Sequence, residues 1–167
     1  NAAYAGSEKF APGKRFGFFP SFSVGWRISE EPFMKKIQEA WLTNLKVRYS
    51  YGEVGSDKGA PRFNYIQLFE SGDNVTFGKN QNVSYGPLYT EGSLAYHDAT
   101  WETAVKQNLG IEMTLFRKLT ASIDLFKEDR TGILMSRNSS APWMGAGLPS
   151  VNIGKTKNHG LELELGW

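Results

Sequence analysis

The sequence predicts an all-β fold: an antiparallel sheet of the kind that closes into a transmembrane β-barrel. Three observations predict it. Apolar and polar residues alternate with period two along several stretches, some of these stretches are unusually long, and long and short connections alternate between them. Period-two alternation sends successive side chains to opposite faces of a strand. A tilted strand needs roughly 9–11 residues to cross a bilayer, against about 5–6 for a typical strand. Barrels of the outer-membrane kind join strands by short turns at one end and long loops at the other.

The first strand is expected near residues 15–28. Phe16, Phe18, Pro20, Phe22, Val24, Trp26 and Ile28 lie on one parity, with Arg15, Gly17, Phe19, Ser21, Ser23, Gly25 and Arg27 on the other. Pro20 lacks a ladder donor, so a bulge or local break is expected there. A short helical segment from Ser29 to Trp41 follows, with Ser29 as its cap and Pro32 in its first turn. The second strand, near 45–51, alternates Leu45, Val47, Tyr49 and Tyr51 with Lys46, Arg48 and Ser50.

The pattern then dissolves into a long loop near 52–100, rich in Gly, Asn, Asp, Ser and Tyr, with strand-like pieces at 65–69 and 75–77. A loop of that length in a compact domain is expected to be functional. Strands near 101–116 and 119–130 flank a tight turn at Arg117-Lys118. A second long loop covers 134–157, and a last strand near 160–167 sets Leu161, Leu163, Leu165 and Trp167 against Glu162 and Glu164.

Composition narrows the class. The chain has 167 residues with a formal net charge of +2 and no cysteine, which removes disulfide scaffolds and thiolate metal sites. Its basic residues are scattered singly or in pairs such as Lys35-Lys36, unlike the patch of a nucleic-acid binder. No apolar run approaches the roughly 18 residues of a membrane helix, but transmembrane strands escape such a scan. The opening Asn1-Ala2-Ala3-Tyr4 carries neither charged nor apolar leader features, so it reads as a mature or internal segment.

Alternation alone fits a soluble antiparallel sandwich equally well. Strand length and the loop rhythm select the barrel. The assignment of faces then follows from cost, since a midplane Arg or Lys facing lipid costs about 2–4 kcal/mol. Lys46, Arg48, Glu102, Lys106, Glu112, Asp124, Arg130, Glu162 and Glu164 are expected to face a wet lumen. Phe16, Phe18, Phe22, Val24, Val47, Leu109, Ile111, Met113, Ile123, Leu161 and Leu163 are expected to face lipid. Trp26, Tyr49, Tyr51, Trp101 and Trp167 are candidates for the interfacial aromatic girdle. A barrel must close, and the smallest have about 8 strands, so five long strands are expected to be part of a larger barrel.

Several blocks resemble the SusC/RagA family of TonB-linked outer-membrane proteins of Bacteroidetes-type bacteria. They are Arg15-Phe-Gly-Phe-Phe-Pro-Ser-Phe-Ser-Val-Gly-Trp-Arg-Ile-Ser-Glu-Glu with Phe33-Met34, Leu45-Lys-Val-Arg-Tyr-Ser-Tyr-Gly, and Ala99-Thr-Trp-Glu-Thr leading to Asn108-Leu-Gly-Ile-Glu. They continue with Asp124-Leu-Phe-Lys-Glu-Asp-Arg-Thr-Gly-Ile-Leu, Leu148-Pro-Ser-Val-Asn-Ile-Gly and Lys157-Asn-His-Gly-Leu-Glu-Leu. The resemblance implies an internal piece of an approximately 22-stranded barrel filled by a plug that this chain does not contain. It implies TonB-dependent import of a glycan or peptide in the outer membrane, with a SusD-like surface lipoprotein as lid and TonB as energy partner.

No cofactor, metal or catalytic role is expected. His97-Asp98 has no accompanying nucleophile, and His159 lacks metal-ligand spacing. Glu128 with Asp129-Arg130 reads as a salt-bridge cluster before it reads as a glycosidase acid pair. The glycine-rich run at 52–59 lacks the lysine core of a phosphate loop and reads as a turn. Phe63, Tyr65, Phe69, Tyr85, Tyr89 and Tyr96, with Trp143 from the second loop, are candidates for contact with substrate or lid protein. The rival readings are a soluble lectin-like or adhesin-like sandwich and a passive porin.

Overall fold

The computed structural model describes residues 1–79, 83–137 and 146–167. Six strands form one antiparallel sheet: β1 (Ala2–Gly6), β2 (Phe16–Arg27), β3 (Leu42–Ser56), β6 (Glu102–Leu115), β7 (Leu119–Met135) and β8 (Val151–Gly166). β4 (Phe69–Phe77) and β5 (Val83–Glu91) pair as a separate two-stranded ribbon inside the connection between β3 and β6. The sheet is an open meander with β1 and β8 at its edges.

The strands reach further than their alternation suggests. β3 runs from Leu42 to Ser56 where 45–51 was expected, and β7 continues to Met135 through a register irregularity around Gly132 (φ +72°). That left-handed conformation suits glycine and admits an extra residue into the strand. β8 begins at Val151, well inside the segment expected to be loop, because cross-strand pairing with β7 extends through residues that are polar on both parities. The expected loop at 52–100 likewise yields its first five residues to β3 and contains the β4–β5 ribbon. The glycine run at 52–59 is therefore strand as far as Ser56, and the turn begins at Asp57. β1 carries no alternation of its own, because Ala2-Ala3-Tyr4-Ala5-Gly6 offers no apolar–polar contrast.

Pro20 does not create the expected break. β1 pairs with β2 over Phe16–Pro20, and β3 pairs with it over Ser21–Arg27. The missing N–H thus falls where β2 passes from one neighbour to the other. Between β2 and β3 lie two 3-10 turns, Ile28–Glu30 and Pro32–Met34, and a short helix α1 (Lys35–Ala40). Ser29 is buried, and its hydroxyl points to Asn44 Oδ1 at 3.4 Å instead of capping a helix. The β6–β7 turn is centred one residue earlier than expected, on Phe116 (φ +51°) and Arg117 (φ +59°), and is closed by Lys118 N–H to Leu115 C=O at 3.1 Å.

Burial is inverted relative to a water-soluble sandwich. Phe22 is 56% exposed and Leu163 59%, and no second sheet covers their face among the described residues. The buried cluster is small: Phe10, Ala60 and Ala99, flanked by Tyr96, Trp101 and Leu134. It sits where the β1–β2 connection meets the base of the long connection. Asn152 reinforces that base. Its amide donates to Thr100 C=O (2.9 Å) and Gly132 C=O (2.6 Å), while its Oδ1 accepts from Thr100 N–H (3.0 Å).

Candidate functional site

Register decides which residues meet. One cross-strand row reads Arg27, Lys46, Glu112, Ser122, Glu164, and the next reads Gly25, Arg48, Gly110, Asp124, Glu162. Further along, Lys106 lies opposite Glu128, and Ala104 opposite Arg130. All nine residues expected on the charged face therefore share one face of the sheet. Phe16, Phe18, Phe22, Val24, Val47, Leu109, Ile111, Met113, Ile123, Leu161 and Leu163 share the other.

The charged face is joined by ion pairs. Arg48 contacts Glu112 at 3.0 Å and Asp124 at 2.7 Å, Lys46 contacts Glu112 at 3.5 Å, and Ser122 donates to Asp124 at 3.2 Å. A second group forms nearer the long connections, where Arg130 holds Glu102 and Glu128 at 2.8 Å each and Lys106 lies 3.6 Å from Glu128. Asp129 points to the opposite face and pairs with Lys127 at 2.8 Å. Glu128 and Asp129 are consequently not two acids facing each other across a cleft. Among the described residues, no group of three or more His, Asp and Glu side chains is placed to hold a metal.

Large side chains on this face lie over glycines of the next strand. A Cβ on Gly160 would come within 2.6 Å of the Phe126 ring, and one on Gly110 within 2.4 Å of the Arg48 side chain. Along β7 Phe126 is an apolar residue on an otherwise polar parity. The signal that explains it, Gly160 opposite on the neighbouring strand, requires the register to be known. A concave patch of about 660 Å³ lies beside Phe126, bordered by Ser21, Ser23, Ser50 and Asn108.

The aromatic loop candidates separate into two places. Phe69, Tyr85 and Tyr89 stand exposed on the β4–β5 ribbon, where Phe77 meets Tyr85 edge-on with ring centroids 5.7 Å apart. Phe63 is exposed at the base of the ribbon and Tyr65 is half-buried there, while Tyr96 packs against the Phe10 cluster. Tyr96 is thus a packing residue at the loop base. Trp143 lies outside the described residues. Trp101, a girdle candidate, packs instead against Phe10 and Phe19 at centroid distances of 5.3 and 5.4 Å. Asp98, beside His97 in the long connection, is bound by Lys14, which holds its carboxyl below the usual range.

A model of the TonB dependent receptor-like β-barrel matches residues 2–167. TonB-dependent receptor P39 of Formosa agariphila is 32% identical over 163 residues, which is 96% of this chain and 14% of the relative. TonB-dependent receptor SusC of Bacteroides thetaiotaomicron is 27% identical over 164 residues, 96% of this chain and 16% of the relative. Among solved structures, the RagAB peptide importer in its closed-closed state superposes with a TM-score of 0.75 at 22% identity, over 98% of this chain and 17% of that one. The chain thus spans 14–16% of the length of these two relatives. An open antiparallel sheet with one charged and one uncovered apolar face is a section of barrel wall, and the chain belongs to the TonB-dependent receptor-like β-barrel family.

Proposed function

We propose that this segment is wall, lumen lining and external loop of an outer-membrane importer that takes up a glycan or peptide with energy delivered through TonB. The observation that carries the reading is the division of the sheet into an ion-paired face and a broad uncovered apolar face. In a barrel the first lines a wet interior, and the second meets acyl chains that would reject its charges.

The slope of the apolar face supports this. Trp26 shares a row with Val47, Ile111, Ile123 and Leu163, and Trp167 lies four residues beyond Leu163. The margin marked by the two tryptophans therefore drops about 13 Å across about 19 Å of sheet, at roughly 3.3 Å per residue and 4.8 Å per strand. That corresponds to about 35°, within the strand tilt of about 35–45° found in membrane barrels. Trp26 and Trp167 then mark the inner interface, on the side of the short Phe116-Arg117 turn, and Tyr49 and Tyr51 lie toward the outer one.

The exposed Phe69, Tyr85 and Tyr89 on the ribbon, with Phe63 below them, suit contact with a substrate or with a SusD-like lid lipoprotein at the mouth. SusC and the RagAB peptide importer are the relatives that motivate a lid and a nutrient substrate.

Extraction and uptake test the reading in the full-length protein. Recovery from membranes is expected to require detergent, and import is expected to stop in cells lacking TonB. Recovery in detergent-free buffer would return the sheet to the soluble sandwich class. Uptake that continues without TonB would make it a passive pore.

A further inference from the structure

On the apolar face the chemistry changes within a single step of register. Leu125 and Leu161 lie opposite each other, and two residues further along the same strands Lys127 lies opposite His159. The following pairs on this face are Asp129 with Lys157 and Thr131 with Lys155. Three lysines and a histidine thus stand directly beyond the aliphatic band, at the end of the sheet that carries the long connections. Lys127 and the residues 155–159 are exposed. Asp129 is the one acid among them: it pairs with Lys127 at 2.8 Å and feels the charges of Lys157 and His159. β6 adds the neutral Gln107, Val105 and Thr103 to the same rows, and Glu53 stands beyond it on β3.

We infer that Lys127, Lys155 and Lys157, with His159, form a binding patch for the phosphate groups of an anionic lipid in the outer leaflet. This rests on the proposed orientation, in which the long connections face outward. Lysines just past the end of an acyl band extend their ammonium groups to headgroup depth while their stems stay against apolar surface. Charge complementarity selects the occupant: the patch carries three fixed positive charges against one acid, and it is continuous with the face that meets acyl chains. Each lysine near an anionic membrane surface strengthens binding by about fivefold. Asp129 keeps Lys127 partly neutralised, so Lys155 and Lys157 contribute most.

The test uses the full-length barrel protein in detergent. It is mixed with vesicles of phosphatidylcholine alone, with added lipid A, or with lipid A stripped of its phosphates, and bound lipid is quantified by mass spectrometry. The wild type is expected to retain phosphorylated lipid A at least tenfold more than the Lys127→Ala/Lys155→Ala/Lys157→Ala variant. The stripped lipid should be retained weakly and equally by both. The triple Lys→Arg variant should restore retention, and heat-modifiable migration checks that each variant is a folded barrel. Competition by millimolar inorganic phosphate would make the patch a site for a free anion and overturn the lipid assignment. Equal retention by wild type and triple Ala variant, with both proteins folded, would overturn the patch and leave the barrel reading intact. A protein that needs no detergent would overturn the barrel reading itself.

Discussion

Arg48 on β3 bonds Asp124 on β7 through two hydrogen bonds of 2.7 and 2.8 Å, although β6 lies between them. The residue beneath the guanidinium on β6 is Gly110, which faces both partners in register. A Cβ there would come within 2.4 Å of Arg48 Nε, so the missing side chain opens the path across the strand. Asp124 is the more enclosed partner, with 14% of its side chain exposed against 42% for Arg48. Gly110→Ala is therefore expected to displace Arg48 and leave Asp124 unpaired, costing about 1–3 kcal/mol. The unfolding midpoint of the full-length barrel in denaturant measures it, and an Asp124→Asn background should absorb most of the loss.

Polarity of the two faces gives a second expectation. Ile111→Arg places a charge in the middle of the apolar face and should cost about 2–4 kcal/mol of stability in a bilayer. Asn108→Arg, on the charged face of the same strand, should cost well under half as much. Folding yield into lipid vesicles separates them, and equal penalties would contradict the lipid assignment.

The β6–β7 turn holds two non-glycine residues in the left-handed region, Phe116 and Arg117. That conformation costs about 1–2 kcal/mol per residue for ordinary side chains, and Asn or Gly relieves it. Phe116→Asn with Arg117→Gly is expected to raise the temperature at which the barrel loses its heat-modifiable migration. The gain should come without a change in import.

Acid is expected to loosen the base of the long connection. The Ser7 hydroxyl donates to Asp57 at 2.7 Å and holds its carboxyl below the usual range, aided by Lys9 and opposed by partial burial. A depressed carboxyl stabilises the fold above its unfolded value, about 3.9, and loses that contribution as pH falls through the lower folded value. Protection of the 57–62 amides against hydrogen exchange should thus persist through neutral and mildly acidic pH and decline only below about pH 4. Ser7→Ala should move the decline to higher pH.

Much of this wall is legible in the residues themselves. Phe16 to Trp26, Leu109 to Met113 and Leu161 to Leu165 announce strands and sort their own faces, because alternation is a local consequence of the pleat. The strand ends, β1 and the ribbon outside the strand-like 75–77 are not legible in that way, since pairing with a neighbour holds residues extended whatever their parity shows.

The sequence by itself determined which side chains stand together on each strand. Only the tertiary structure decided which strand neighbours which and in what register. That is why Phe126 over Gly160, Arg48 over Gly110, and the gathering of Lys127, Lys155, Lys157 and His159 from scattered positions could not be read along the chain. Cross-strand contacts join residues far apart in sequence, and a slip of one residue would send each of them to the other face.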